Sequence, residues 1–168
     1  MKKLILIAMM LMAMMGIVYG VECGTTPTED CTVSASTTFA PGTYYLNDTN
    51  ANGSIIINAA NVTIDCNGSK LQGNSSTNSI AISYGQKSNV TVKNCNIDKY
   101  DHALRINTNS HFANAINNTI SNMTTYGIFF FGINNANILN NTLINASLYS
   151  TSTTTSNISG NNVTCVAL

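Results

Sequence analysis

The sequence predicts an all-β chain wound into a right-handed, single-stranded parallel β-helix of about five to six coils behind an N-terminal export signal. Three observations carry that prediction. The pattern Asn89-Val90-Thr91-Val92-Lys93-Asn94-Cys95-Asn96-Ile97 recurs along the chain at a fixed step of about 23 residues, a period in the range of stacked repeats. Within each copy the apolar residues stand two apart, as in Val90 and Val92, which is the period of a strand with one buried face. Between copies lie Asn, Gly and Ser, which suit tight corners, and the mature chain sustains no helical i, i+3, i+4 spacing.

The first segment is a leader. Met1-Lys2-Lys3 precedes an uncharged, largely apolar run from Leu4 to Val18, and Val18-Tyr19-Gly20 ends on the small residue that signal peptidases require. Residues 1–20 are predicted to be a signal peptide and the mature protein to be secreted or held at the cell surface. An uncleaved anchor is the alternative, because the uncharged run, counted on from Leu4 to Val21, just reaches the minimum length for a bilayer span. Val21-Glu22 before Cys23 is not the small pair of a lipidation signal, and no second membrane segment follows.

The remainder reads as one domain, with residues 21–40 expected to form an N-terminal cap or linker and 41–168 the β-helix. Only 8% of residues are charged, and seven basic side chains balance seven acidic ones. Two of the basic ones, Lys2 and Lys3, leave with the leader. No basic patch for DNA or RNA remains, so no nucleic-acid partner is expected.

Export places five cysteines where disulfides persist. Cys23 and Cys31 bracket a short Pro-containing segment and suit a closed loop. Cys66 and Cys95 fall at similar points of consecutive repeats, about 4.8 Å apart if the coils stack, which suits either a bridge or stacked free thiols. Cys165 is left over. No C-x-x-C pair exists, so no metal site is expected from the cysteines.

The repeat defines the coils. Asn94, Asn117 and Asn140 are evenly spaced, Ile97, Ile120 and Leu143 repeat the same two intervals, and Val163 follows Leu143 after a shorter step. An earlier copy, Asn61 to Gly68, carries a short insertion before Leu71. A second block, Ile80-Ala81-Ile82, travels with the first and recurs at Leu104-Arg105-Ile106 and Ile128-Phe129-Phe130 with equal steps, with Ile55-Ile56-Ile57 one coil earlier. Strands this short gain backbone partners only by stacking identical coils. The recurrent Asn suits a corner, since it tolerates left-handed dihedrals, and its amide suits an internal ladder at Asn94, Asn117 and Asn140 or at the neighbouring Asn118 and Asn141.

The Asn-Val-Thr-Val-Lys-Asn-Cys-Asn-Ile block, the Asn-Asn-Thr-Ile and Asn-Asn-Thr-Leu copies, Tyr126-Gly127-Ile128-Phe129-Phe130, and the opening Gly42-Thr43-Tyr44-Tyr45-Leu46 together resemble the parallel β-helix repeats of pectate-lyase-like and NosD-like surface proteins. The resemblance spans roughly residues 32 to 166. It implies the fold, and it implies enzymes, binding modules and passive stalks alike. For a polysaccharide lyase it further implies Ca²⁺ held by clustered Asp and an Arg or Lys base, and for a hydrolase two or three Asp with a His.

The only dense cluster of such residues is Asp98, Lys99, Tyr100, Asp101, His102 and Arg105. Arg105, between Leu104 and Ile106, projects outward if those two point inward, and Asp65 approaches from a lower coil. The alternative is a solvated turn holding one ion pair. Tyr100, Tyr126, Phe129 and Phe131 are candidate platforms for sugar rings, or else packing. His111 is expected in a surface turn. Twelve Asn-x-Ser/Thr sequons occur, and those in irregular segments, at Asn47, Asn52, Asn74 and Asn145, are the expected glycan acceptors.

These features predict a noncatalytic structural or adhesive module outside the cell that touches extracellular or cell-wall polysaccharide. A lyase or glycoside hydrolase acting on acidic polysaccharide is the alternative, with Ca²⁺ its only implied cofactor. An open sheet end also invites end-to-end self-association.

Overall fold

The computed structural model describes residues 21–107, 110–152 and 155–164. The predicted signal peptide and Cys165 lie outside them. Eighteen strands form six coils of three. Coil one holds β1 (Cys31–Val33), β2 (Thr37–Thr38) and β3 (Thr43–Tyr45). Coil two holds β4 (Ile55–Ile57), β5 (Thr63–Asp65) and β6 (Lys70–Gln72). Coil three holds β7 (Ile80–Gly85), β8 (Val90–Lys93) and β9 (Asn96–Asp98). Coil four holds β10 (His102–Asn107), β11 (Ala113–Ile116) and β12 (Thr119–Ser121). Coil five holds β13 (Tyr126–Ile133), β14 (Asn137–Leu139) and β15 (Thr142–Ile144), and coil six β16 (Leu148–Ser152), β17 (Asn157–Ser159) and β18 (Asn162–Thr164).

Every third strand pairs in parallel, which makes three six-stranded sheets. Sheet A runs β1-β4-β7-β10-β13-β16, sheet B β2-β5-β8-β11-β14-β17, and sheet C β3-β6-β9-β12-β15-β18. The sequence repeats map directly onto register: Ile97, Ile120 and Leu143 are partners in sheet C, and Ile82, Leu104 and Ile128 in sheet A. Inward residues therefore stack in columns, and Ile64, Val92, Ala115 and Ile138 are at most 1% exposed. β1 and β2 fall inside the segment expected to be a cap, yet they pair with β4 and β5, so the solenoid begins at Cys31 and the cap is confined to residues 21–30. The reason is that Val33 and Phe39 already supply inward apolar side chains at coil spacing.

Each coil turns three corners, and in coils three to five a column of residues with positive φ marks each of them: Asn89, Asn94 and Lys99, then Phe112, Asn117 and Asn122, then Asn135, Asn140 and Asn145, with Gln86 a second such residue at the β7–β8 corner. Asn predominates because its short polar side chain lowers the cost of the left-handed conformation. The column Asn94, Asn117 and Asn140 thus fixes the corner between sheets B and C, with φ of 56°, 55° and 55°. Gly160 continues it at φ 67°, where an added Cβ would run into the Asn140 side chain.

The internal amide ladder lies one residue further on. Asn118 and Asn141 are 1% and 0% exposed, and Asn161 continues their column. Each side-chain oxygen accepts the backbone N–H one coil below: Cys95 to Asn118 at 3.0 Å, Asn118 to Asn141 at 2.9 Å, Asn141 to Asn161 at 2.9 Å. Each Nδ2 donates to a carbonyl of that lower coil, at Val92, Ala115 and Ile138. Of the two columns the sequence left open, Asn118 and Asn141 form the internal ladder rather than Asn94, Asn117 and Asn140, because the left-handed residue turns the chain and it is the residue after it that points inward. A corner interrupts the sheet's own bonding, and these amides supply the missing partners.

Below Asn118 the same column holds Cys95 and Cys66, which are joined by a disulfide. A second disulfide joins Cys23 to Cys31 and pins the cap beneath sheet A. Among the described residues no helix is long and apolar enough to cross a membrane.

Candidate functional site

The predicted cluster divides between two sheets. Asp98 ends β9 in sheet C, Tyr100 and Asp101 form the corner, and His102 and Arg105 stand on β10 in sheet A. Both carboxylates are engaged in holding the coils together. Asp98 meets Lys70 Nζ at 2.9 Å and accepts bonds from Ser121 Oγ and Asn122 Nδ2. Burial pushes its carboxyl up, but the bonds from Lys70, Asn122 and Ser121 outweigh that and hold it below the usual carboxylate value. Asp101 accepts the Asn78 N–H and the hydroxyls of Thr124 and Thr125. Burial raises its carboxyl too, and the two threonine bonds with the His102 charge bring it down overall.

His102 Nδ1 lies 3.3 Å from Asp101 Oδ2, too poorly aligned for a hydrogen bond. Burial depresses its pKa, the Asp101 charge opposes this, and the Arg105 charge adds to it, so the ring is held below its ordinary value. Asp65 stays on sheet B, where Asn94 and Lys93 bind it. Among the described residues no set of three or more His, Cys, Asp or Glu side chains gathers to hold a metal ion.

Tyr100 is not a ligand platform. Its ring is fully buried and its hydroxyl donates to the Leu46 carbonyl at 2.7 Å, since the corner residue after the left-handed Lys99 points into the core. Gly73 packs against that ring so closely that an added Cβ would stand 2.8 Å from it. His111 is exposed as expected, its Nδ1 3.2 Å from Asn134 Nδ2.

What the fold does assemble is the outer face of sheet A. Register places Ile56, Ser83, Arg105, Phe129 and Tyr149 in one outward column. At its upper end the aromatic rings form a continuous strip. Phe129 stacks on Tyr149 with centroids 5.1 Å apart and planes 10° apart, and lies 6.3 Å from Phe131 at 7°. Tyr126 meets Phe129 at 5.2 Å and Tyr149 at 5.5 Å. His102 packs edge-on to Phe129 at 5.7 Å. Phe131 and Tyr149 remain 43% and 37% exposed, so the rings pack one another and still present a surface.

At the lower end of the column is a groove of about 300 Å³, lined by Ala51, Asn52, Ile56, Ser83, Gly85, Arg105 and Asn107 among others. One wall is the turn between β3 and β4, built on Asp48. This carboxylate, 5% exposed, accepts the N–H groups of Asn50, Asn52 and Gly53 from its own turn and that of Ile80 from the next coil, at 3.2, 3.3, 3.0 and 2.9 Å. The Ser83 hydroxyl bonds the Asn52 carbonyl and ties the turn to the sheet face. Gly53 is required there, with φ 114° and an added Cβ only 2.9 Å from Ser83 Cβ. Arg105 makes no ion pair with a carboxylate among the described residues, and its Nε is buried without a partner. A cation on a groove wall beside exposed aromatic rings is suited to a ligand with flat apolar faces and acceptor oxygens.

The sequence pointed to Tyr126, Phe129, Phe131 and Arg105 but not to Tyr149, Ser83 or the Asp48 turn. Tyr149 was findable, because the shortened step from Leu143 to Val163 also carries Phe129 to Tyr149. The turn was not, since its single copy has no counterpart in other coils. No family model, curated protein or solved structure matches this chain.

Proposed function

We propose that this protein is a secreted or cell-surface noncatalytic β-helix module, of the kind its repeats resemble in pectate-lyase-like and NosD-like proteins, and that it binds carbohydrate on the outer face of sheet A. The observation that carries the reading is the partly exposed strip of Tyr126, Phe129, Phe131 and Tyr149 leading to Arg105, which makes no ion pair with a carboxylate among the described residues. Sugar rings stack their apolar faces on such aromatics, and the groove supplies Asn52, Ser83 and Asn107 as hydrogen-bonding groups. Two disulfides fit an oxidising compartment outside the cytoplasm.

A lyase reading retains Arg105 as its proton acceptor, with His102 beside it. Against it stand Asp98 and Asp101, whose oxygens are committed to Lys70, Ser121, Asn122, Thr124 and Thr125. A glycan array decides the first reading: the parent binds at least one polysaccharide class, Phe129→Ala and Tyr149→Ala each weaken binding roughly tenfold, about the value of one stacked ring, and Tyr45→Ala does not. Absence of any bound glycan contradicts it. Incubation of uronic-acid polymers with the protein and Ca²⁺ is expected to give no unsaturated product. Product that disappears in Arg105→Ala would establish the enzyme instead.

A further inference from the structure

Most residues with left-handed backbone in this solenoid are Asn, Asp or Gly. Among the described residues Ala51, Ser75, Gln86, Lys99 and Phe112 adopt it without being one of those types, and Phe112 is the one aromatic among them. It stands at the corner between sheets A and B, in the column that holds Asn61 and Asn89 in the coils below and Asn135 in the coil above. Asn89 Nδ2 donates to Asn61 Oδ1 at 3.0 Å, a rung that a Phe cannot continue. The Phe112 N–H donates to the Asn134 carbonyl at 2.9 Å and its carbonyl accepts the Val90 N–H at 3.1 Å, so the neighbouring coils impose the φ of 56° whatever the side chain. The ring gains little burial in return, since Phe112 is 53% exposed. Stability alone favours Asn or Gly at this corner. An aromatic ring held on strained backbone and left in water marks contact with something outside the chain.

We propose that Phe112 is an outlying platform of the carbohydrate-binding face, so that the ligand is an extended polysaccharide chain running along the strands of sheet A and over the corner toward sheet B. This rests on the carbohydrate reading above and adds the length and direction of what is bound. Along β13 the rings of Tyr126, Phe129 and Phe131 advance toward that same corner, with Phe129 and Phe131 6.3 Å apart and parallel within 7°. From Phe131 the chain runs four residues to Asn135, which lies over Phe112, so Phe112 is at most about 13 Å further along and one coil, about 4.8 Å, lower. A disaccharide on Phe129 and Phe131 does not cross that gap, whereas a chain of several sugars does. From Ile106 onward the sequence contains no Asp, Glu, Lys or Arg, so the surface along this path is uncharged and matches a hydroxyl-bearing polymer. His111 and Asn134, 3.2 Å apart, offer polar groups beside the ring.

The test compares Phe112→Asn with the parent on two separate readouts. In thermal unfolding without glycan, Phe112→Asn is expected to raise the midpoint by about 2 to 4 °C, since Asn suits the left-handed backbone and continues the rung to Asn89. The second readout is titration with disaccharides and hexasaccharides of cellulose, xylan, chitin and polygalacturonate. The parent is expected to bind at least one hexasaccharide, Phe112→Asn to bind it roughly tenfold more weakly, and Phe112→Tyr to keep the parental affinity. The matching disaccharide is expected to bind Phe112→Asn and the parent equally, whereas Phe129→Ala weakens both lengths. A hexasaccharide held equally by Phe112→Asn and the parent overturns the proposal and leaves the aromatic strip as the whole site. A loss equal at both lengths overturns it too, as does a lower midpoint in Phe112→Asn, which would show that the ring packs for the fold. If the parent binds no oligosaccharide of either length, the carbohydrate reading itself fails and this proposal falls with it.

Discussion

A corner of this solenoid asks two adjacent residues for different things. Asn140 must take left-handed dihedrals, and Asn141 must bring a carboxamide into the core. Both columns recur at the same interval, so spacing alone could not separate them. A clue was available in Cys95, which aligns with Asn118 and not with Asn117: a residue type usually buried marks the inward column. The two roles carry different costs. Asn141→Ala leaves the Asn118 N–H and the Ala115 carbonyl without partners and opens a cavity, so it should destabilise by about 2 to 4 kcal/mol. Asn140→Ala should cost about 1 kcal/mol for the left-handed conformation, and Asn140→Gly close to nothing. Chemical denaturation of the three variants checks the order, and Asn140→Ala as the costliest would reverse the assignment. The same distinction bears on glycosylation: Asn117 and Asn140 are exposed at corners and lie outside the buried ladder, so a glycan on either would leave the ladder intact.

At the scale of elements, links between coils carry the stability that strands of only a few residues lack. The Cys66–Cys95 bridge closes 29 residues between coils two and three, and a loop of that length is worth about 3 to 4 kcal/mol in chain entropy. Cys66→Ala with Cys95→Ala should lose most of that in denaturant titration, and an unchanged midpoint would show that the bridge does not form. The β9–β10 corner makes a second link through Asp98, Asp101 and His102, and its pH response has one sign. Asp98 and Asp101 sit below the ordinary carboxylate value of 3.8, so their contribution is full above that value and lost as pH falls through their lower folded values. His102 sits below the ordinary 6.5, so the unfolded chain takes up its proton first and stability begins to fall once pH drops below about 6.5. Thermal midpoints should therefore level off above neutrality and decline on acidification, and Asp101→Asn should flatten the acid limb. A midpoint that rises on acidification would contradict these couplings. Sequence reasoning located this cluster from its density of charge but not its role, because it could not see that Thr124, Thr125 and Ser121 arrive from the coil above.

For the whole molecule, the fold was legible because a solenoid repeats its physics: one coil's pattern, stepped along the chain, predicts the sheets, their parallel pairing and the inward columns. Features occurring once were illegible for the same reason. The Asp48 turn and the cap at residues 21–30 have no second copy to align with, and they shape the groove and one end of the solenoid. The outer face of sheet A, proposed to bind carbohydrate, lies between these cases, since its aromatic columns follow the repeat while its groove depends on the single turn. All of this rests on consecutive coils lying in the stated register. Paired cysteines test it most directly, with Thr119→Cys and Thr142→Cys introduced together in a Cys165→Ser background. These residues are partners in sheet C, so their Cα atoms stand about 4.8 Å apart, within the span of a disulfide. Mild oxidation should join them, seen as a loss of free thiol in the folded monomer, whereas Thr119→Cys with Asn162→Cys, two coils apart, should stay reduced. Failure of the first pair, or closure of the second in its place, would contradict the stacking.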